Sequence, residues 1–291
     1  MPVAPSVVAV VPTFAPPEST FDLLRCLVSQ VADVVVSDDA SPCTSDALLQ
    51  QWRNLTGLQV VRHRHNRGIA RGLNEGLGLA QESQAAWLLT VDQDTQLADN
   101  YVERIVSSAT GRLEAGELLG AIGAEVINET SGGMRYPIRE SLHGSITEEV
   151  IQTGTLWNVA ALTAIGGFDE DLRIDAVDAA ACLALRGQGF TVGVETGLGL
   201  QHTIGQSRTI RIAGRPVMIT GHSPQRRASM LRNRLRLFPA EFRQSPGHAV
   251  RTIRRVAVNQ GLGLVVESGR WGKLKGSIRG LSGQSKDNLQ P

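Results

Sequence analysis

Aromatic residues and cysteines are scarce in this sequence. Phe, Trp and Tyr together make up 4% of the 291 residues, so a core must be built mainly from Val, Leu, Ile and Ala. Cys26, Cys43 and Cys182 lie far apart and form no CxxC pair. They indicate neither a disulfide framework nor a zinc site, and a reducing compartment fits them best.

Membrane-spanning and secretory segments are also missing. No apolar run reaches the roughly 18 residues that a transmembrane helix needs. The first residues, MPVAPSVVAVVPTF, lack the basic region that opens a signal peptide. We therefore expect a soluble, cytoplasmic protein.

Two glycine-rich phosphate-binding motifs are absent as well. The first strand-like run continues into PTFAPPEST without the GxGxxG of dinucleotide-binding folds, and the sequence has no GxxxxGK[ST]. A phosphate site in this chain must therefore be built from side chains and a metal ion rather than from a glycine loop.

What the sequence does contain is an alternation of strand-like and helix-like segments. Composition allows a sizeable core, with 42% hydrophobic and 20% charged residues. Strand-like runs cover 6–12, 33–37, 58–62, 86–91, 118–127, 190–194 and 198–203, and helical patterns cover 18–30, 44–52, 68–82, 176–187 and much of the chain from 224. This order predicts an α/β fold with a mixed, mostly parallel central sheet flanked by helices.

Charge is distributed unevenly along the chain. The formal net charge is only +1, yet residues 1–220 contain no lysine and are net acidic, whereas 221–291 are strongly basic. We predict a catalytic domain over 1–220, a basic helical extension over 221–275 and a disordered tail over 276–291. The basic segment could meet nucleic acid, an anionic membrane or the acidic body, or could simply be solvated.

Polar residues follow four of the predicted strands. Thr13, then Asp38 and Asp39, then His63 to Asn66, and finally Asp92 and Asp94 stand where these strands end. In parallel sheets, ligands bind beyond these carboxyl ends. Asp92 and Asp94 alternate and can point to one hard cation, Mg²⁺ or Mn²⁺. The DxD pattern alone is weak, since it recurs at 169–171.

Taken together and in order, several segments resemble the family 2 glycosyltransferases, in particular their rhamnosyltransferase-like branch. The segments are VVAVVPTFAPP (8–17), VVVSDDASP (34–42), NRGIARGLNEG (66–76), WLLTVDQDTQ (87–96), GTLWNVAALTAIGGFDEDLRIDAVD (154–178), HTIGQS (202–207) and RRASMLRN (226–233). The resemblance implies a GT-A-type, Rossmann-like fold that binds a nucleotide sugar and inverts its anomeric carbon.

The same resemblance assigns roles to individual residues. Thr13 and Phe14 would line the nucleobase pocket, and Asp38 or Asp39 would accept from the pyrimidine N3–H. Asp92, Asp94 and His202 would hold the metal, and Asp178 would be the general base. Further donor-side residues are Asn66, Gly68, Arg71, near the diphosphate, and Gln93; acceptor-side candidates are Gly154, Thr155, Trp157, Asp175, Arg226 and Arg232.

The implied function is transfer of a sugar, L-rhamnose from dTDP-rhamnose, to a glycan or polyprenyl-lipid-linked acceptor in cell-envelope biosynthesis. The basic segment RRASMLRNRLRLF would bind the inner face of the cytoplasmic membrane. Nucleic acid is not expected as a partner. A catalytically silent nucleotide-sugar-binding protein and a sugar-phosphate nucleotidyltransferase are the alternatives.

The sequence departs from the family pattern in the acceptor half. Where the family has an acid, an arginine and paired tyrosines, this chain has Ala180, Ala184, Ala228 and Ser229, and Arg173 replaces an aromatic residue. These changes indicate either an altered acceptor or lost catalysis.

Overall fold

The computed structural model describes residues 6–42, 46–127, 134–202, 208–212, 215–219 and 223–266. Its contacts divide the chain into two compact units, Met1–His202 and Thr203–Pro291. The division falls earlier than position 220, where the sequence places the end of the catalytic domain.

The first unit is an α/β sheet structure. Its strands are β1 (Val7–Thr13), β2 (Asp33–Asp38), β3 (Leu58–Arg62), β4 (Trp87–Thr90), β5 (Thr95–Gln96), β6 (Leu119–Ile127), β7 (Met134–Arg135), β8 (Arg139–Ser141), β9 (Gly144–Ile146), β10 (Thr155–Asn158) and β11 (Thr191–His202). Its helices are α1 (Thr20–Val28), α2 (Asp46–Arg53), α3 (Ile69–Glu82), α4 (Tyr101–Glu114), α5 (Val159–Ala164) and α6 (Val177–Gly187), with a 3₁₀ turn at Glu170–Leu172.

The central sheet runs β3-β2-β1-β4-β10-β6-β11-β9-β8. β1 pairs in parallel with both β2 and β4, β2 with β3, and β6 with β11. β10 inserts antiparallel between β4 and β6. The predicted fold class, a mixed and mostly parallel sheet flanked by helices, is confirmed.

Helices cover both faces of this sheet because its strands are apolar on both sides. Val7, Ala9 and Val11 join the core formed with α1, α2 and α4. Val8 and Val10 point the other way, into the core formed with α3, α5 and α6. The period of two along a strand therefore produces two hydrophobic layers.

Some elements differ from the sequence-based prediction. The strands expected at 190–194 and 198–203 are one strand, β11, whose pairing with β6 shifts register between Glu195 and Gly199. The residues between the two expected strands predict a turn. A bulge there, with Gly197 at φ 71°, lets the strand continue instead. The sequence reading also missed α4.

The second unit contains a hairpin and two long helices. β12 (Arg208–Ile212) pairs antiparallel with β13 (Arg215–Ile219), and α7 (Pro224–Gln244) precedes α8 (Pro246–Val266). Both helices lie within 221–275, where the sequence analysis predicts a basic helical extension, and the tail expected over 276–291 lies outside the described residues. In the described part of the chain, no helix is both long and apolar enough to cross a bilayer.

The close packing of α3 on β1 can be tested at Gly76. A Cβ at this position would overlap Val10, whereas a Cβ at Gly78 in the same helix meets nothing within 4 Å. We expect Gly76→Ala to lower the free energy of unfolding by about 1–3 kcal/mol, as measured by urea denaturation. Gly78→Ala should instead raise it by about 0.5–1 kcal/mol; equal effects of the two changes would contradict this packing.

Candidate functional site

The carboxyl ends of β1, β2 and β4 meet at one edge of the sheet. Thr13 lies directly beside Asp38 in the register of β1 and β2. The side-chain amide of Gln93, just after β4, pairs with the backbone of Phe14: Phe14 N–H donates to Oε1 (2.8 Å) and Nε2 donates to the Phe14 carbonyl (3.1 Å). The predicted donor-side residues Thr13, Phe14, Asp38 and Gln93 are thus brought together, and Gln93 fastens one strand end to the next.

The neighbouring aspartates Asp38 and Asp39 have different surroundings. Asp38 is fully buried and its Oδ1 accepts from the hydroxyls of Ser41 and Thr13. Its Oδ2 accepts no hydrogen bond from any described residue and lies 3.4 Å from Arg62 Nε. Both oxygens of Asp39, in contrast, are bound to the loop that precedes α3.

That loop is held by Asp39 through backbone N–H groups. Arg67 N–H donates to Asp39 Oδ1 (2.6 Å) and Gly68 N–H donates to Oδ2 (2.8 Å). Gly68 has φ 91°, and a Cβ there would be 2.6 Å from the carbonyl oxygen of Arg173. Arg173 in turn donates to the Asn66 carbonyl at 2.9 Å. The Asn66–Gly68 signature therefore needs glycine for a close backbone approach.

A buried histidine joins Asp39 to helix α3. His63, whose side chain is 8% exposed, places Nδ1 3.1 Å from Asp39 Oδ1 and Nε2 2.7 Å from Glu75 Oε1. Burial opposes a charge on the ring, but the hydrogen bonds and charges of Asp39 and Glu75 outweigh it and raise the pKa of His63. The predicted diphosphate residue Arg71 also contacts Glu75, with Nε 3.4 Å from Oε1, and reaches Glu170 at 3.5 Å.

The three predicted metal ligands converge. β5 pairs with β11, which sets His202 opposite Thr95. Nε2 of His202 lies 3.5 Å from Asp92 Oδ2, and Nδ1 lies 3.2 Å from Asp94 Oδ1. Burial disfavours a charged ring, yet the hydrogen bond to Asp94 and the charges of both aspartates raise the pKa of His202. Carboxylate and imidazole are ligand types that bind divalent cations. Here the imidazole lies between the two carboxylates and turns a different ring nitrogen to each, and these three side chains are not among the described groups whose ligand atoms all lie within 4.8 Å of one another, so a shared cation requires a change of rotamer.

Asp178, the predicted base, is connected to this cluster through one residue. It lies in the first turn of α6, and its Oδ2 accepts from the backbone N–H of Gln152 (3.1 Å). The side chain of the same Gln152 donates to Asp92 Oδ1 at 2.6 Å. The sequence reading missed Gln152, because a lone glutamine before a threonine-glycine pair matches no chemical motif.

The acceptor-side candidates fall into different environments. Gly154 has φ 73° and Thr155 begins β10, both next to Gln152. Trp157 is fully buried, donates to Thr90 Oγ1 and packs edge-on against Phe168. The structure thus gives Trp157 a place in the core and not on a surface that an acceptor could reach.

The remaining acceptor-side candidates are Asp175, Arg226 and Arg232. Asp175 lies in the turn just before α6, with φ 64°. Arg226 and Arg232 belong to α7 in the second unit, and their role stays a prediction. The second DxD, at 169–171, is a capped 3₁₀ turn in which Asp169 accepts from Asp171 N–H.

Known proteins resemble this chain in sequence and in fold. Residues 8–128 match the family model of glycosyl transferase family 2. The dTDP-rhamnosyl transferase RfbF of Shigella flexneri is 25% identical over 242 residues, 78% of each protein. Residues 1–349 of S. aureus TarS superpose with a TM-score of 0.61 at 16% identity, over 94% of this chain and 80% of that one.

A second solved structure is the mannosyltransferase PcManGT of Pyrobaculum calidifontis in complex with GDP-Man and Mn²⁺, with a TM-score of 0.57, 14% identity, and 98% and 82% coverage. These likenesses establish the class of fold, GT-A-type. The family model that matches residues 8–128 is the family predicted from the motifs, glycosyl transferase family 2.

The His63 cluster predicts a pH-dependent stability. The folded-state pKa of His63 is raised above its usual 6.5, so its contribution is fully present below pH 6.5 and is lost as pH rises through the folded-state value. Urea denaturation across this range should show that the stability difference between the wild type and His63→Gln shrinks with rising pH. His65→Gln, at an exposed position two residues on, is the control; a constant difference for His63→Gln would contradict the prediction.

Proposed function

We propose that the protein is a metal-dependent inverting glycosyltransferase that moves a sugar from a nucleotide donor to a glycan or lipid-linked acceptor. One observation carries the proposal: Asp92, Asp94 and His202 converge at the sheet edge, and Gln152 connects that cluster with Asp178. The proposed site for the diphosphate leaving group then lies next to Asp178, the carboxylate proposed to act on the acceptor.

The donor half is assigned to the strand ends. Asp92, Asp94 and His202 would hold Mg²⁺ or Mn²⁺, which would neutralise the charge developing on the departing nucleoside diphosphate. Either Asp38 or Asp39 would accept from the pyrimidine N3–H: Asp38 is fully buried but its Oδ2 accepts no hydrogen bond from a described residue, whereas Asp39 is 8% exposed and already accepts from Arg67 and Gly68. Gln93 would keep the nucleobase loop in place.

Asp178 is assigned as the general base. Its carboxylate takes the proton of the acceptor hydroxyl as the acceptor oxygen forms a bond to the anomeric carbon. The bond between that carbon and the diphosphate oxygen breaks on the opposite face, so the configuration inverts. No covalent enzyme intermediate is required.

The donor is proposed to be dTDP-L-rhamnose. Support comes from RfbF, a dTDP-rhamnosyl transferase at 25% identity. The solved neighbours carry other donors, UDP-GlcNAc for TarS and GDP-Man for PcManGT, so the shared fold does not select the sugar. A thermal-shift panel of nucleotide sugars with Mg²⁺ or Mn²⁺ would rank the donors.

Hydrolysis of dTDP-rhamnose tests the assignment without a known acceptor. We expect slow release of dTDP that chelator abolishes. Asp92→Ala should remove Mn²⁺ binding and activity together. Asp178→Asn should lower turnover at least about 10²-fold, the usual contribution of a general base, while Mn²⁺ and donor still bind.

The matched control is Asp99→Ala, at an exposed position seven residues beyond Asp92, which should change neither quantity. Tight donor binding without turnover for any acceptor would favour the catalytically silent protein. Formation of a nucleotide sugar from nucleoside triphosphate and sugar phosphate would instead identify a nucleotidyltransferase.

We also propose that the second unit binds the anionic inner face of the cytoplasmic membrane, where a polyprenyl-linked acceptor would be found. The segment that the sequence analysis names, 226–238, lies in α7 and exposes only Leu235 and Arg236. One face of α8 gives better support, because Val250 and Val258 are exposed by 50% and 51% and flank exposed Arg251 and Arg254. Apolar side chains among arginines suit the boundary between headgroups and acyl chains.

Liposome flotation tests the membrane proposal. The wild type should float with vesicles that contain phosphatidylglycerol and not with phosphatidylcholine alone. Arg251→Glu/Arg254→Glu should lose this preference, whereas Arg53→Glu/Arg104→Glu, an equal charge change at exposed positions of the first unit, should keep it. Equal partition into both vesicle types would refute the electrostatic part.

A further inference from the structure

The turn Ile151–Gly154 is bonded to the sheet edge from several directions. Besides the contacts of Gln152 with Asp92 and Asp178, the Gln152 carbonyl accepts from Thr90 Oγ1. The hydroxyl of Thr153 accepts from the backbone N–H of Asp92 at 2.9 Å. Side-chain and backbone groups of consecutive residues therefore contact the strand end that carries Asp92.

The two tyrosines of the chain fasten the ends of the same turn. The Tyr136 hydroxyl accepts from the N–H of Ile151 at 3.0 Å, and the Tyr101 hydroxyl donates to the carbonyl of Gly154 at 2.6 Å. Gly154 is required between them, because a Cβ there would overlap Leu200 and approach the Tyr101 hydroxyl. The turn thus has little freedom to shift.

We propose that Gln152 is a positioning residue that aligns the metal-binding Asp92 with the base Asp178. Its amide holds Asp92 Oδ1 at 2.6 Å, which leaves Oδ2 directed at His202, and its backbone N–H holds Asp178 Oδ2 at 3.1 Å. One buried residue thereby contacts two carboxylates on different elements, just after β4 and at the start of α6; Asp178 Oδ1 in addition accepts from Ala179 N–H at 2.8 Å. This inference rests on the proposed function.

The geometry has a direct chemical consequence. A carboxylate that can rotate about its χ2 angle presents its oxygens to a cation in several ways, and a neighbouring donor removes that freedom. Gln152 is 7% exposed, so water competes little for the amide. Loss of the side-chain amide should weaken metal binding through Asp92, whereas the backbone N–H that Asp178 accepts from is retained.

Gln152→Met tests the inference, because methionine has a similar volume and no hydrogen-bond donor. Titration of the full-length protein with Mn²⁺ alone, followed by calorimetry, should show about 10- to 100-fold weaker binding, the usual effect of removing a group that orients a ligand. At saturating Mn²⁺, kcat for dTDP-rhamnose hydrolysis should stay lowered about 10-fold with little change in KM, because Asp92 is then no longer held in one orientation.

The control is Gln81→Met. Gln81 also donates one side-chain hydrogen bond, to Thr163 at 2.8 Å, but on the exposed side of α3, and its removal should leave Mn²⁺ affinity and kcat unchanged. Gln152→Asn is the second variant if methionine prevents folding. It retains the amide but is one methylene too short to reach Asp92, and it should weaken Mn²⁺ binding as well.

The outcomes separate this inference from the proposed function. If the wild type binds Mn²⁺ and folded Gln152→Met binds it equally well, Gln152 is merely structural and the inference is overturned alone. A lower melting temperature with unchanged Mn²⁺ affinity leads to the same conclusion. If the wild type binds neither Mn²⁺ nor nucleotide sugar, the proposed function fails together with the inference.

Discussion

The parallel pairing of β1 with β2 on one side and β4 on the other is the constraint on which the site depends. It makes three strands end together, so that Asp38, Asp39 and Asp92 reach one edge. Negative charges brought this close repel one another unless groups of opposite polarity separate them. Here the rings of His63 and His202 and the backbone N–H groups before α3 lie between the carboxylates.

Backbone conformation around this edge is unusual as well. Apart from Gln84, every non-glycine residue with a positive φ in the described chain either follows one of these strand ends or lies just before Asp178. These residues are Ala15, Ala40, Arg173, Asp175 and Ala176. Each such conformation costs about 1–3 kcal/mol and persists only where the surroundings enforce it. Holding these loops in one arrangement therefore lowers the free energy of unfolding.

Local patterns were sufficient to predict β1 to β4, β6 and β11, since short β-branched runs depend on neighbours in sequence, but they did not reveal β10, which inserts antiparallel between β4 and β6. Asp92 and Asp94 could also be predicted as metal candidates from the sequence, because DQD follows a clear strand. The different environments of Asp38 and Asp39 could not be predicted, because these adjacent residues become distinct only when Asp39 accepts from the N–H groups of a loop far along the chain. The sequence analysis places Trp157 on the acceptor side, because a tryptophan beside a site motif resembles a binding residue until its burial is known.

The hydroxyl groups of Tyr101 and Tyr136 have an optical consequence. Burial raises the pKa of both phenols well above the ordinary value, so neither forms tyrosinate while its hydroxyl stays buried beside the turn. The chain has no third tyrosine. Any alkaline ultraviolet difference signal from phenolate therefore shows that Tyr101 or Tyr136 has lost its place at the turn Ile151–Gly154. The ultraviolet absorbance of these two tyrosines therefore reports whether the turn Ile151–Gly154 is intact.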